Sequence, residues 1–210
     1  MGWLGFASRQ GDRASPRMEI PLFPLNAVLF PGGVLPLRIF EQRYLDMTAA
    51  CMKEERPFGV CLIVAGEEAG GVAEPHPVGT LARITDWEME QLGLLQVTTR
   101  GGQRFRIVDK ALGPDNLWRA VVEIIADNGP LPFPVERQRL LPLLRRIAGE
   151  IGPARIPEPR RYDDAEWVGY RITEILPVQN LAKQKLLELD DPISRLEILE
   201  RFLDQRKLLD

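Results

Sequence analysis

Up to residue 127 the apolar positions fall in short runs divided by glycine and proline, and beyond it they recur at helical spacing. In the first stretch the runs predict strands over residues 19–25, 34–40, 57–65, 79–87, 92–100, 103–108 and 117–126. Pro21 and Pro24 mark the first as an edge or irregular strand, because proline brings no N–H to a ladder. Phe30-Pro31-Gly32-Gly33 reads as a tight turn, joining the fixed φ of proline to the freedom of glycine at positive φ. Gly101-Gly102 predicts a second turn, between two of the strands. A single helix is expected in this stretch, over residues 41–54, with Leu45, Ala49 and Met52 at i, i+4 and i+7 and Tyr44, Thr48 and Cys51 beside them. Residues 66–77 read as a polar loop.

The period changes after Asn128-Gly129-Pro130. Helices are expected over residues 134–149, with Leu140, Leu144 and Ile147 in phase, and over 164–176, capped by Asp163, with Val168, Ile172 and Ile175 in phase. Pro142 either kinks the first of these or starts a new turn. Two more follow: 178–189, aligned through Ala182, Leu186 and Leu189, and a last one opened by Asp191 as cap and Pro192 at the first position, with Leu196, Leu199 and Leu203 as its apolar face. Strands first and helices last read as an α+β protein. The expected division is a leader at 1–17, a β-rich part at 18–127, a linker at 128–134 and a helical part at 135–210.

Composition narrows the class. The 210 residues are 45% hydrophobic, a globular value, and no run reaches the roughly 20 apolar residues of a membrane span. The leader lacks the apolar core of a secretory signal, so the cytoplasm is the expected compartment. There Cys51 and Cys61, each in an apolar stretch, are expected as buried thiols rather than a disulfide. A net charge of −3 speaks against nonspecific nucleic-acid binding, which needs clustered cations.

Catalytic chemistry is conspicuous by what is missing. His76 is the one histidine, and no Cys-x-x-Cys occurs, which excludes a tetrahedral zinc site built of histidine and cysteine. Of the three serines, Ser8 and Ser15 lie in the leader and Ser194 in the first turn of a helix, where serine serves local hydrogen bonding. No Gly-Lys pair and no Gly-x-Gly-x-x-Gly occurs, so neither phosphate loop is present. No catalytic residue, metal or cofactor is therefore expected. Trp87, Trp118 and Trp167 lie within regular segments and are expected in the core.

The ordered residues carry a resemblance. Pro24-Leu25, then Val28 to Gly32, Leu35 to Glu41 and Arg43-Tyr44 stand in one order with Phe58-Gly59-Val60, Val78 to Ile84 and Gly102 to Ile107. Lys183 to Glu188 and Arg195-Leu196-Glu197 extend the set to the helical end. Over about residues 18–207 the chain resembles the N-terminal, substrate-binding domain of Lon proteases. The resemblance implies a PUA-like β pseudo-barrel with one inserted helix, followed by a C-terminal helical bundle. In full Lon proteases an ATPase and a Ser-Lys protease follow, and residues 1–210 contain neither. The implied function is a non-catalytic polypeptide-binding module, an adaptor in protein quality control. Its expected partners are unfolded or degron-bearing polypeptides and a protease or chaperone, with no membrane.

Two surfaces compete as the site. Extended peptides bind sheet edges and apolar grooves. The irregular segment 24–33 is the candidate edge, with Leu29 and Phe30 partly exposed on it, Phe40 and Tyr44 nearby, and Arg38 and Arg83 to hold carboxylates by bidentate contacts; the other reading of Leu29, Phe30 and Phe40 is that they are core. The alternative is an RNA-binding PUA-like module, using Arg100 with Arg104 and Arg106, the last two being two apart and so on one face of a strand.

Overall fold

In a computed structural model of the protein, residues 16–91, 93–127 and 129–209 are described. Seven strands and five α-helices follow one another as expected in kind: β1 Arg17–Leu25, β2 Val34–Ile39, α1 Gln42–Lys53, β3 Phe58–Ala65, β4 Glu74–Pro75, β5 Val78–Gln91, β6 Leu94–Leu112, β7 Trp118–Ile124, then α2 Leu140–Ile151, α3 Ala165–Ile175, α4 Asn180–Glu188 and α5 Pro192–Gln205. The protein is α+β, with its strands in a ring-like sheet. β1 pairs with β7, β7 with β6, β6 with β5 and β5 with β3, all antiparallel, and β3 returns to β1 in parallel. Two strands stand outside the ring: β4 on β3, and β2 on the first half of β6. Most of the expected leader, residues 1–15, lies outside the described residues, and Arg17 already belongs to β1.

One expected turn is absent. Residues 92–100 and 103–108 are not two strands joined at Gly101-Gly102, because β6 runs unbroken through both glycines. The glycines answer a different need. The Pro31-Gly32 turn, closed by Gly33 N–H donating to the Phe30 carbonyl at 2.9 Å with Gly32 at φ 72°, lies directly on Gly101. Gly32 donates to the Gly101 carbonyl at 2.8 Å and Gly101 to that of Gly33 at 2.9 Å. A Cβ at Gly101 would collide with the Phe30 carbonyl. The pair marks a close backbone approach, not a reversal.

Several helix faces are also rotated from expectation. α1 buries Tyr44, Met47, Thr48 and Cys51, while Ala49 faces solvent. α4 buries Gln184 and Leu187, and Ala182 is exposed. α3 is capped by Asp164, whose carboxylate accepts from the N–H groups of Glu166 and Trp167, rather than by Asp163. Pro142 sits in the first turn of α2 and starts the helix rather than kinking it. α5 is as the sequence reads: Asp191 accepts from Ile193 and Ser194, and Leu196, Leu199 and Leu203 are buried. Cys51 and Cys61 are buried free thiols. Trp167 is buried, but Trp87 is 55% exposed and is not core.

The apolar interior lies in separate clusters. On the β side, Phe23, Leu25, Leu29, Phe58, Val60 and Val97 pack with residues of α1, and a second cluster of Ile20, Cys61, Leu81, Phe105 and Val122 draws on all five ring strands. Leu140, Leu144, Trp167, Val168, Leu196 and Leu199 form the helical core, against which Leu131 and Phe133 also pack. Between the two lies a small cluster of Phe30, Tyr170 and Leu187.

Candidate functional site

Among the described residues three arginines are fully buried; two tie the helices to the β-rich part and the third ties helix to helix, each donating to backbone carbonyl oxygen. Arg104 of β6 donates to the Leu187 carbonyl at 2.8 Å and meets the Asp190 carboxylate at 3.1 Å. Arg195 of α5 donates to Leu186 at 2.9 Å and to Leu189, and its guanidinium stacks on Tyr170, 4.2 Å from the ring centroid. Tyr170 in turn packs on Phe30, centroids 5.6 Å apart. Arg171 of α3 donates to the Pro31 carbonyl at 2.7 Å and pairs with Glu174 at 3.1 Å. The carbonyls of the last turn of α4 have no partner within the helix, so a guanidinium placed there satisfies them and complements the negative helix end.

This joint decides between the two readings of segment 24–33 and removes its exposed form. Leu29 and Phe30 are not partly exposed: they are 3% and 0% exposed. Their surroundings explain it, since the Pro31 turn is pinned between β6 and α3 and carries both side chains inward. Tyr44 is buried as well, stacked on Phe23 with centroids 4.0 Å apart. Arg38 and Phe40 are exposed, at and just beyond the end of β2. Arg83 is exposed on β5, where it reaches the Glu55 carbonyl at 3.4 Å, and it is not brought together with Arg38. The expected basic face also dissolves. Arg104 is 1% exposed and committed to the joint, so Arg100 and Arg106 remain as separate exposed residues. His76 lies with Nδ1 3.9 Å from the Glu188 carboxylate of α4.

Beside the joint, the sheet and the helices leave a cleft of about 530 Å³, within the usual range of binding pockets. Its sheet wall is Ala27, Val28, Leu29, Val34 and Leu35. The opposite wall is Ile147 and Ile151 of α2, Ile156 and Ile175, with Arg155, Glu174, Asn180 and Lys183 as its polar groups. Ile147 and Ile175, expected in the helical core, are half-buried and line this cleft, Ile175 while also packing against the helical core. Glu174 is tucked over Gly33, where a Cβ would collide with its carboxylate. Burial pushes its carboxyl up to about 7, against the opposing pull of Arg171, Arg155 and Lys183. Burial likewise lowers the Lys183 ammonium, which donates to the Glu174 backbone carbonyl at 2.7 Å.

One rim of the cleft is a strand edge. β2 pairs only with β6 among the described strands, so its second edge is free. Pro36 stands in the middle of that strand and is exposed, a residue that limits indiscriminate pairing along an open edge. Val34 and Leu35 belong both to this strand and to the cleft wall. An extended chain laid along β2 therefore has an apolar trough beside it. Of the polar cleft residues only Lys183 stood out in the sequence, and only as part of the family resemblance. The one further signal available was Glu174 inside an apolar helical run, and only the position of β2 gives it a role.

Comparison with known proteins now settles the family. Residues 19–205 match the family described as the ATP-dependent protease La (LON) substrate-binding domain. The chain belongs to this family. A crystal structure of a Lon N-terminal domain protein from Xanthomonas campestris is similar over 88% of this chain and 98% of that one, at 34% identity and a TM-score of 0.73. The N-terminal domain of the Mycobacterium avium complex Lon protease shares the fold at 20% identity, with a TM-score of 0.61 over 89% and 97% of the two chains. The Lon protease of Cytophaga hutchinsonii is 27% identical over 199 residues, which are 89% of this chain and 24% of that protein. The chain thus spans about a quarter of that relative's length. What the match covers is the substrate-binding domain of the Lon family. No described helix is long and apolar enough to cross a membrane.

Proposed function

We propose that this Lon-type domain is a non-catalytic polypeptide-binding module that holds extended, apolar stretches of unfolded protein in the cleft between β2 and the helices. The observation that carries this is the cleft itself: an apolar trough of about 530 Å³ bordered by a free strand edge. Main-chain pairing along an edge supplies affinity without demanding a sequence, and the trough selects apolar side chains. The family relationship supports the substrate class. A cytoplasmic adaptor role in quality control, delivering such chains to a protease or chaperone, follows from the same reading.

The division of the chain into a PUA-like β part at 18–127 and a helical part at 135–210 belongs to this proposal. Closure of the strand ring and the separate helical core support it. The connecting stretch is docked on the helical side: Ala165 donates to the Leu131 carbonyl at 2.8 Å and Phe133 to that of Asp163 at 2.7 Å. Burial of Arg104 takes the central residue from the RNA alternative, and the cleft is the better site.

Ile151→Asp tests the proposal. Ile151 is 40% exposed on the last turn of α2, so the change leaves the core intact while placing a charge in the trough. Binding of fluorescein-labelled unfolded casein should weaken at least tenfold, about 1.4 kcal/mol, with circular dichroism unchanged. Undiminished binding by the folded variant places the site elsewhere.

A further inference from the structure

We infer that the cleft reads the end of a polypeptide: it takes a free C-terminal carboxylate between Arg155 and Lys183 and lodges the apolar side chain of the last residue between β2 and α2. This rests on the polypeptide-binding reading above and names the part of the chain that is bound.

The charges in the cleft are unequal. Its lining holds two cations, Arg155 and Lys183, and one carboxylate, Glu174. Glu174 is already answered by Arg171 at 3.1 Å. Arg155 is exposed and has no ion-pair partner among the described residues. Lys183 is half-buried, and among the described residues its ammonium donates only to a neutral carbonyl, that of Glu174, at 2.7 Å. The two cations are close enough to act on one another and on Glu174. A partly desolvated ammonium beside an unpaired guanidinium is an arrangement that an incoming carboxylate completes, with charge-assisted hydrogen bonds from both. Burial and the neighbouring Arg155 lower the Lys183 ammonium against the pull of the Glu174 carboxylate.

The apolar wall decides which carboxylate fits. Leu29, Val34, Ile147 and Ile151 line the same cleft as the cations. In the final residue of a chain, the α-carboxylate and the side chain leave one Cα, so a single residue presents an anion to one wall and an apolar group to the other. An internal Asp or Glu instead offers its carboxylate from the side chain, so the apolar group must come from another residue and the chain must continue past the cations. Capture of a chain terminus is an established recognition mode in its own right.

The probe is a pair of fluorescein-labelled heptapeptides, GSGSVAL, one with a free C-terminus and the other amidated, titrated against the full chain by fluorescence anisotropy. The free acid should bind at least tenfold more tightly than the amide. Arg155→Gln, at an exposed position, and Lys183→Gln should each remove most of that difference while leaving the amide unchanged. Equal affinity of acid and amide overturns the inference. So does an amidated peptide with an internal Asp that binds as tightly as the free acid, since it assigns the cations to acidic side chains. Unfolded casein separates the two levels of the argument. If casein binds and Ile151→Asp abolishes it, yet neither heptapeptide binds, the terminus reading falls and the cleft stands. If Ile151→Asp leaves casein binding intact, the cleft falls with it.

Discussion

Replacing Arg104 with methionine removes the guanidinium that ties β6 to the end of α4 while keeping an unbranched stem. Three interactions are lost: the hydrogen bond to Leu187 at 2.8 Å, a longer one to Leu189 at 3.5 Å and the ion pair with Asp190 at 3.1 Å. They are not equal. The Asp190 side chain is 73% exposed, so solvent screens this pair and its part of the loss is small. Leu189 keeps the donor from Arg195. The Leu187 carbonyl is left without its charged donor, and a buried polar group deprived of its partner costs about 1–3 kcal/mol. Relief from holding a buried guanidinium offsets part of this. The net expectation is a destabilisation of about 2 kcal/mol, which in urea lowers the unfolding midpoint by about 1 M for a slope of about 2 kcal/mol/M. Equilibrium urea denaturation followed by far-UV circular dichroism measures it. An unchanged or raised midpoint refutes the reasoning, because it means that desolvation of Arg104 outweighs the carbonyls it satisfies.

Other outcomes follow from the same geometry. Gly101→Ala forces a Cβ into the Phe30 carbonyl and should destabilise by at least about 2 kcal/mol in thermal or urea unfolding, whereas a glycine needed only for a turn would tolerate the change at lower cost. Leu29→Ser with Phe30→Ser should unfold the protein by circular dichroism, since truncating two buried residues of this size costs about 5 kcal/mol or more together. Glu174 has an ordinary value of 4.5 raised to about 7, so the folded state holds its proton where the unfolded chain has released it. Stability should therefore fall as pH rises from about 4.5 to about 7, by up to about 3 kcal/mol, and a pH series of urea midpoints should show this slope in the wild type and not in Glu174→Gln. Parallel slopes in the two proteins would remove Glu174 as the cause.

The candidate site was legible only in part. Apolar runs showed where β1, β2, β3 and β5 lie, because burial of alternate or successive residues leaves its period in the chain. They also placed an irregular segment at residues 24–33, of which Ala27, Val28 and Leu29 line the cleft. What failed was exposure. Leu29 and Phe30 stand in a proline-broken segment that looks like surface, and the Pro31 turn buries them by docking on Gly101 and Arg171. Arg104 and Arg106 share a strand face by their spacing, yet α4 covers one of them and not the other. Trp87 fails in the opposite direction, in a strand period without being core.

By itself the sequence determined the order and kind of the elements, the cap of α5 at Asp191 and the family, through marks that are local or stand in a fixed order along the chain. Caps and periodicities depend on neighbours within a few residues, so one dimension suffices to read them. Only the tertiary structure decided that the ring closes by a parallel contact of β1 with β3, that β6 runs straight through a glycine pair, and that three arginines are interior. The cleft has the same origin. Its walls come from residues 27–35 and 147–183, and a cavity is defined by the gap between surfaces that sequence separation does not measure. Charge and apolarity were written in the chain, but which cation lacks a partner is a fact of distance.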